Sequence, residues 1–135
     1  MIMLLTPDHS QSDTDRDEFA PGLKAGNVLM FALGFCIHFN QIVPPADVDV
    51  VMVAPKGPGH LVRRQYQEGR GVPALIAVYQ YASGKAQDLA LAYAKGIGAP
   101  RARLIETPFR AETEPDRSAE QVSLCRAPSA LVRAG

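Results

Sequence analysis

A lysine carried on a Gly-Pro-Gly turn is the most chemically suggestive feature of this 135-residue sequence. Lys56 precedes Gly57, Pro58, Gly59 and His60, and follows the apolar run Val50 to Ala54 and the ladder-stopping Pro55. The glycines let a ligand approach the backbone closely, while Pro58 limits the freedom of the turn. Ligands of open α/β sheets sit outside the carboxyl ends of strands, which makes a lysine and a histidine placed there site candidates. Downstream, Asp116 and Glu120 stand four residues apart. On a helix that spacing puts both carboxylates on one face, where they can converge on a hard cation such as Mg²⁺. Arg63 and Arg64 form a basic pair of the kind that clamps phosphate. Each feature has a plainer reading: a solvated lysine in a tight turn, an acidic helix surface, a basic pair that aids solubility.

The elements that would position these groups follow from the apolar runs. Met1 to Leu5, Val28 to Ala32, Val50 to Ala54, Val72 to Tyr79 and Arg101 to Glu106 read as strands. Asp8 or Ser10 is expected to cap a short, exposed helix over residues 10 to 20 that ends at Pro21-Gly22. The acids of that stretch, from Asp13 to Glu18, read as a solvated charge run. Leu61 to Tyr66 reads as a short helical or irregular crossing. Ser83 is expected to cap a helix whose Ala86, Leu89, Ala90, Tyr93, Ala94 and Ile97 form one apolar stripe, ended by Gly98. Thr113 or Glu114 is expected near the start of a last helix, with Pro115 in its first turn. Strands alternating with helices predict an α/β fold built on a mostly parallel sheet.

Composition narrows the function classes. Fourteen basic and fourteen acidic residues leave no net charge, which offers nothing to a polyanion, so no nucleic-acid partner is expected. No apolar stretch approaches the length of a bilayer span, so no membrane partner is expected either. Cys36 and Cys125 lack metal-ligand spacing and read as reduced thiols of a cytoplasmic protein.

Several blocks, taken in order, resemble ketol-acid reductoisomerase, the magnesium- and NADPH-dependent enzyme of valine and isoleucine synthesis. They are the run from Leu23 to Asn40, the block Val53 to Arg64, the Ala-Ser-Gly-Lys-Ala start at 82 to 86, and Ile105-Glu106-Thr107 leading to Asp116 and Glu120. The resemblance implies a partial Rossmann-like NADP-binding domain over residues 1 to 108 and the start of a helical carboxyl-terminal domain over 109 to 135. It implies that Asp8, His9, Ser10, Gln11 and Gly59 touch the cofactor, that Lys56 is catalytic, and that Asp116 and Glu120 hold Mg²⁺. The implied substrate is a small ketol acid, 2-acetolactate or 2-aceto-2-hydroxybutyrate, rearranged by alkyl migration and reduced by NADPH.

The sequence also departs from that pattern. Leu33 occupies the position of the family's catalytic histidine, and leucine has no proton to relay. His38, five residues on, reads as a partly buried structural imidazole. No G-x-G-x-x-G turn leading from a strand into a helix occurs in the sequence, Arg117-Ser118-Ala119 replaces apolar and glycine residues, and Pro128 should kink or break a helix at a cost of about 3 kcal/mol. The glutamates that complete the family's metal site belong to a later helical domain, and this sequence stops at Gly135. The expectation is a ketol-acid reductoisomerase-like chain that does not turn over alone. The alternative is a non-enzymatic remnant, or a half-domain that pairs with itself or docks on a complementary chain through an open sheet edge.

Overall fold

The computed structural model describes residues 1–111 and Thr113. Five strands form one sheet in the order of the chain: β1 (Ile2–Leu4), β2 (Val28–Phe31), β3 (Asp49–Pro55), β4 (Ala74–Gln80) and β5 (Leu104–Glu106). The pairs β1·β2, β2·β3 and β4·β5 are parallel, and β3·β4 is antiparallel with a register shift between Val50 and Val51. The sheet is thus mostly parallel, as the alternation of elements predicts. What the apolar runs do not carry is direction, and so the reversal at β4 is new.

Helix α1 (Asp8–Thr14) follows β1, and α2 (Phe35–His38) follows β2. A nine-residue helix, α3 (Gly59–Gln67), leads from β3 to β4, and α4 (Ala86–Gly96) leads from β4 to β5. The charged stretch after α1 winds through a wide turn, Asp15–Phe19, and a tight one, Ala20–Gly22. There Arg16 pairs with Asp13 at 3.0 Å and with Asp17 at 2.9 Å, all well exposed, where such pairs contribute little stability.

Strand periodicity divides the core into two layers. Leu29, Phe31, Val50, Met52, Ala54 and Ala77 face Cys36, Ile37, Ile42 and Phe109 on one side. Val28, Met30, Val51, Val53, Ala74 and Ile76 face Ala86, Ala90, Ala94 and Ala99 on the other. Alternate residues of one strand point to opposite faces, so a sheet buried on both sides reads as a continuous apolar run. The three α4 alanines, four apart and fully buried, let that helix lie close on the sheet.

Local chemistry departs from the expected caps. Pro7 precedes α1, and neither Asp8 nor Ser10 caps it: the Ser10 hydroxyl donates back to the Pro7 carbonyl at 2.9 Å. Ser83 does not cap α4, which starts at Ala86 after Lys85. Its hydroxyl is drawn instead to Asp49, a buried carboxylate at the start of β3, and donates to Asp49 Oδ2. The Ala82 and Ser83 amides donate to Asp49 Oδ1 at 2.7 and 2.9 Å. Burial alone would raise the Asp49 pKa, but the Ser83 hydroxyl and the two amides outweigh it and hold the carboxyl below its ordinary range. The last helical stretch also begins earlier than expected. Residues 109–111 and 113 are helical, and the Thr113 hydroxyl donates to the Phe109 carbonyl at 2.9 Å, a bond of the helix interior. Phe109 is buried with the sheet, beside the ring of Tyr79.

Candidate functional site

Because β1, β2 and β3 run parallel, their carboxyl ends open on the same edge of the sheet. That arrangement brings together Asp8 to Gln11 after β1, Leu33 after β2, and Lys56 to Gly59 after β3. On the face of the sheet that carries α4, this edge opens into a cleft of about 300 Å³, walled by Leu5, Ala32, Pro55, Gly57, Gly59 and Val62 and closed by Tyr93 and Ile97 at the end of α4; Asp8 to Gln11, Leu33 and Lys56 share the edge but do not line the cleft. The apolar stripe of α4 reads as packing in the sequence. Tyr93 and Ile97 reach the cleft because α4 runs antiparallel to β4, in the same direction as β3, and so ends at the carboxyl edge, a direction that spacing alone does not give.

Lys56 is exposed at the lip of this edge, its amide donating to the Pro73 carbonyl at 2.8 Å as the chain leaves β3. Gly57 is packed: a Cβ there would stand 3.2 Å from Val72 Cγ1. Gly59 differs. Nothing lies within 4 Å of where its Cβ would be, and its φ is not in the left-handed region. Neither packing nor backbone conformation demands glycine at 59.

On the β1 side, His9 is exposed and Asp8 half-buried. Burial raises the Asp8 pKa, and the nearby His9 partly opposes it. Gln11 turns inward, 4% exposed, and its amide donates to the Thr6 carbonyl at 2.7 Å and to Asp8 Oδ1 at 3.3 Å. Its Oε1 is buried and has no partner. Cys36 packs beneath α1, with its thiol 3.5 Å from the Asp8 carbonyl. Burial, then the charges of Asp8 and Asp15, push that thiol up to about 11.

Leu33 sits half-buried in the turn between β2 and α2, offering the edge no polar group. His38 is half-buried in α2, against the edge of the Phe39 ring at 4.8 Å. Asp116 and Glu120, the expected magnesium ligands, and Pro128 lie outside the described residues. Among the described residues no group of three or more His, Cys, Asp or Glu side chains could hold a metal ion, and no helix is long and apolar enough to cross a membrane.

Comparison with known proteins places this edge in context. The structure of an NADH-preferring ketol-acid reductoisomerase from an uncultured archean superposes with a TM-score of 0.94 at 46% sequence identity, over 99% of this chain and 40% of that one. This chain therefore spans less than half the length of that relative. A semialdehyde dehydrogenase NAD-binding protein from Cupriavidus necator, in complex with calcium and NAD, shares the fold alone, with a TM-score of 0.77 at 19% identity over 98% of this chain and 50% of its own. The model of the acetohydroxy acid isomeroreductase NADPH-binding domain matches residues 1–103. With residues 1–103 of this chain matched by the family's NADPH-binding domain and the fold shared with a 46%-identical ketol-acid reductoisomerase over 99% of this chain, the chain belongs to the acetohydroxy acid isomeroreductase, or ketol-acid reductoisomerase, family.

Proposed function

We propose that the chain forms the later part of the dinucleotide-binding half of a ketol-acid reductoisomerase and holds the reduced nicotinamide cofactor, NADPH, at the carboxyl ends of β1, β2 and β3. The observation that carries this reading is that Asp8 to Gln11 and Lys56 to Gly59 follow parallel strands at one edge of the sheet, where Gly57 and Gly59 line an open cleft. Gly59, with free space where a side chain would be, fits a group that must come close to the backbone.

In this reading Asp8, His9 and Ser10 meet the cofactor from the α1 side, and the backbone of Gly59 meets it from the α3 side. Gln11 supports the loop from below through its bond to the Thr6 carbonyl. Lys56 faces the substrate's oxygens and holds negative charge as it develops there. Asp116 and Glu120 carry Mg²⁺ by family resemblance. Bound together, the dinucleotide supplies hydride and the cation polarises the oxygens of 2-acetolactate or 2-aceto-2-hydroxybutyrate. Leu33 leaves this chain without a proton relay at the position where the family has histidine, so turnover by the chain alone is not part of the proposal.

Thermal unfolding followed by circular dichroism tests the reading. A ligand that binds only the folded state raises the midpoint, so millimolar NADPH should move it upward. A cooperative transition that ignores NADPH would set the reading aside.

A second reading, docking on a complementary chain or on a second copy, draws on β1. Among the described residues β1 pairs only with β2, and Met1 and Leu5 beside it are 64% and 68% exposed. Light scattering behind size exclusion distinguishes a monomer from such an assembly.

A further inference from the structure

Between α3 and the end of α4 lies a second cavity of about 330 Å³, lined by Gly59, Val62, Arg63, Tyr66, Gly96 and Ile97. It adjoins the carboxyl-edge cleft through Gly59, Val62 and Ile97, and no acidic side chain contributes to its wall. Arg63 and Tyr66 are one helical turn apart on α3, and the Arg63 guanidinium carbon lies 5.9 Å from the centre of the Tyr66 ring. Arg101 arrives from the turn after α4 and places its guanidinium carbon 5.2 Å from the same ring.

The ring is held in place. Gly98, with φ of 82°, packs so close that a Cβ there would stand 3.1 Å from Tyr66 Cδ2 and 3.7 Å from Arg101 Nη1. A side chain at 98 would be strained by the backbone and would push the ring away, so this left-handed glycine sets Tyr66, and Tyr66 sets both cations. A guanidinium held over a ring by cation–π attraction keeps N–H groups available for a further partner. Arg16 and Arg70 each lie within ion-pair distance of a carboxylate, but neither Arg63 nor Arg101 has such a partner among the described residues. Two cations held at one ring draw an oxyanion to their N–H groups.

We propose that Arg63 and Arg101, each placed over the ring of Tyr66, form a binding site for a phosphate-bearing ligand. The site stands on its own geometry and does not depend on the dinucleotide reading. Its phosphate comes either from a separate phosphorylated ligand or from the cofactor in the adjoining cleft.

The test is a titration of the full 135-residue chain, first with inorganic pyrophosphate and then with NADPH. Arginine Nε–Hε signals are followed by NMR at constant ionic strength, with sodium chloride as the control. The Arg63 and Arg101 signals should shift saturably with pyrophosphate. Apparent affinity should fall at least tenfold in Arg63→Gln and in Arg101→Gln, and stay unchanged in Arg16→Gln. If NADPH moves the same signals and competes with pyrophosphate, the site takes the cofactor's phosphate; if only pyrophosphate does so, it takes that of a separate ligand. Shifts that never saturate and match the chloride control would overturn the site. Saturable shifts that survive both Arg63→Gln and Arg101→Gln would overturn it as well.

Discussion

Gly34 and Thr113 are in direct contact across the fold: a Cβ added at Gly34 would collide with Thr113 Oγ1 and stand 3.1 Å from Phe109 Cδ1. The turn that carries Leu33 is therefore clamped by the helical stretch beginning at Phe109, a long way off in sequence. Thr113 is 3% exposed and Phe109 5% exposed, so neither can swing aside into solvent. Gly34→Ala should overpack this contact and destabilise the protein by about 1–3 kcal/mol, read from urea denaturation. Removing the hydroxyl in the Gly34→Ala/Thr113→Ala double variant should recover part of that loss. Strictly additive effects would mean that the two residues do not meet as described.

Asp49 makes a second lock, between the start of β3 and the loop before α4. Asp49→Asn should cost about 1.5–3 kcal/mol, the range for hydrogen bonds to a charged group. Because the folded-state pKa lies below the unfolded value of about 3.9, the carboxylate's contribution is complete above that value and is lost as pH falls through the folded-state pKa. The stability gap between the parent protein and Asp49→Asn should thus hold from neutral pH to about pH 5 and narrow below about pH 4. A gap independent of pH in that window would rule out an ionised Asp49.

Cys36 should be chemically quiet. With its thiol pushed up to about 11, roughly one molecule in a thousand carries a thiolate at pH 8. In a Cys125→Ser background, iodoacetamide should label Cys36 only as urea unfolds the chain, with labelling tracking the unfolding transition. Labelling of the folded protein at the rate of a free cysteine would contradict both its burial and its raised pKa.

The strands were legible because both faces of the sheet are buried, and Val50 to Ala54 reads as one apolar run whichever layer each residue joins. The edge that gathers Asp8, Leu33 and Lys56 was legible through the resemblance and the Gly-Pro-Gly turn. Strand direction was not, since an apolar run has no polarity, and the reversal of β4 is what brings Tyr93 and Ile97 to the cleft. The caps assigned to Asp8, Ser10 and Ser83 failed for one physical reason: a hydroxyl or carboxylate has several nearby partners, and tertiary packing selects among them. Ser83 found Asp49, whose position ahead of the β3 run was the only sign of its role. Similarly, Arg63 and Arg64 read as a pair in sequence, yet on α3 it is Arg63 that meets Tyr66, one turn away, with Arg101.

In the proposed function a dinucleotide lies against the backbone at Gly59. The most direct measurement is a calorimetric titration of NADPH into the parent protein and into Gly59→Val, with thermal unfolding of both in parallel. Nothing lies within 4 Å of the new side chain's Cβ, and the unfolding curve checks that the variant folds. The parent should bind saturably, and Gly59→Val should lose at least tenfold in affinity. Equal binding by the two proteins, or no binding by a folded parent at millimolar NADPH, would contradict that placement.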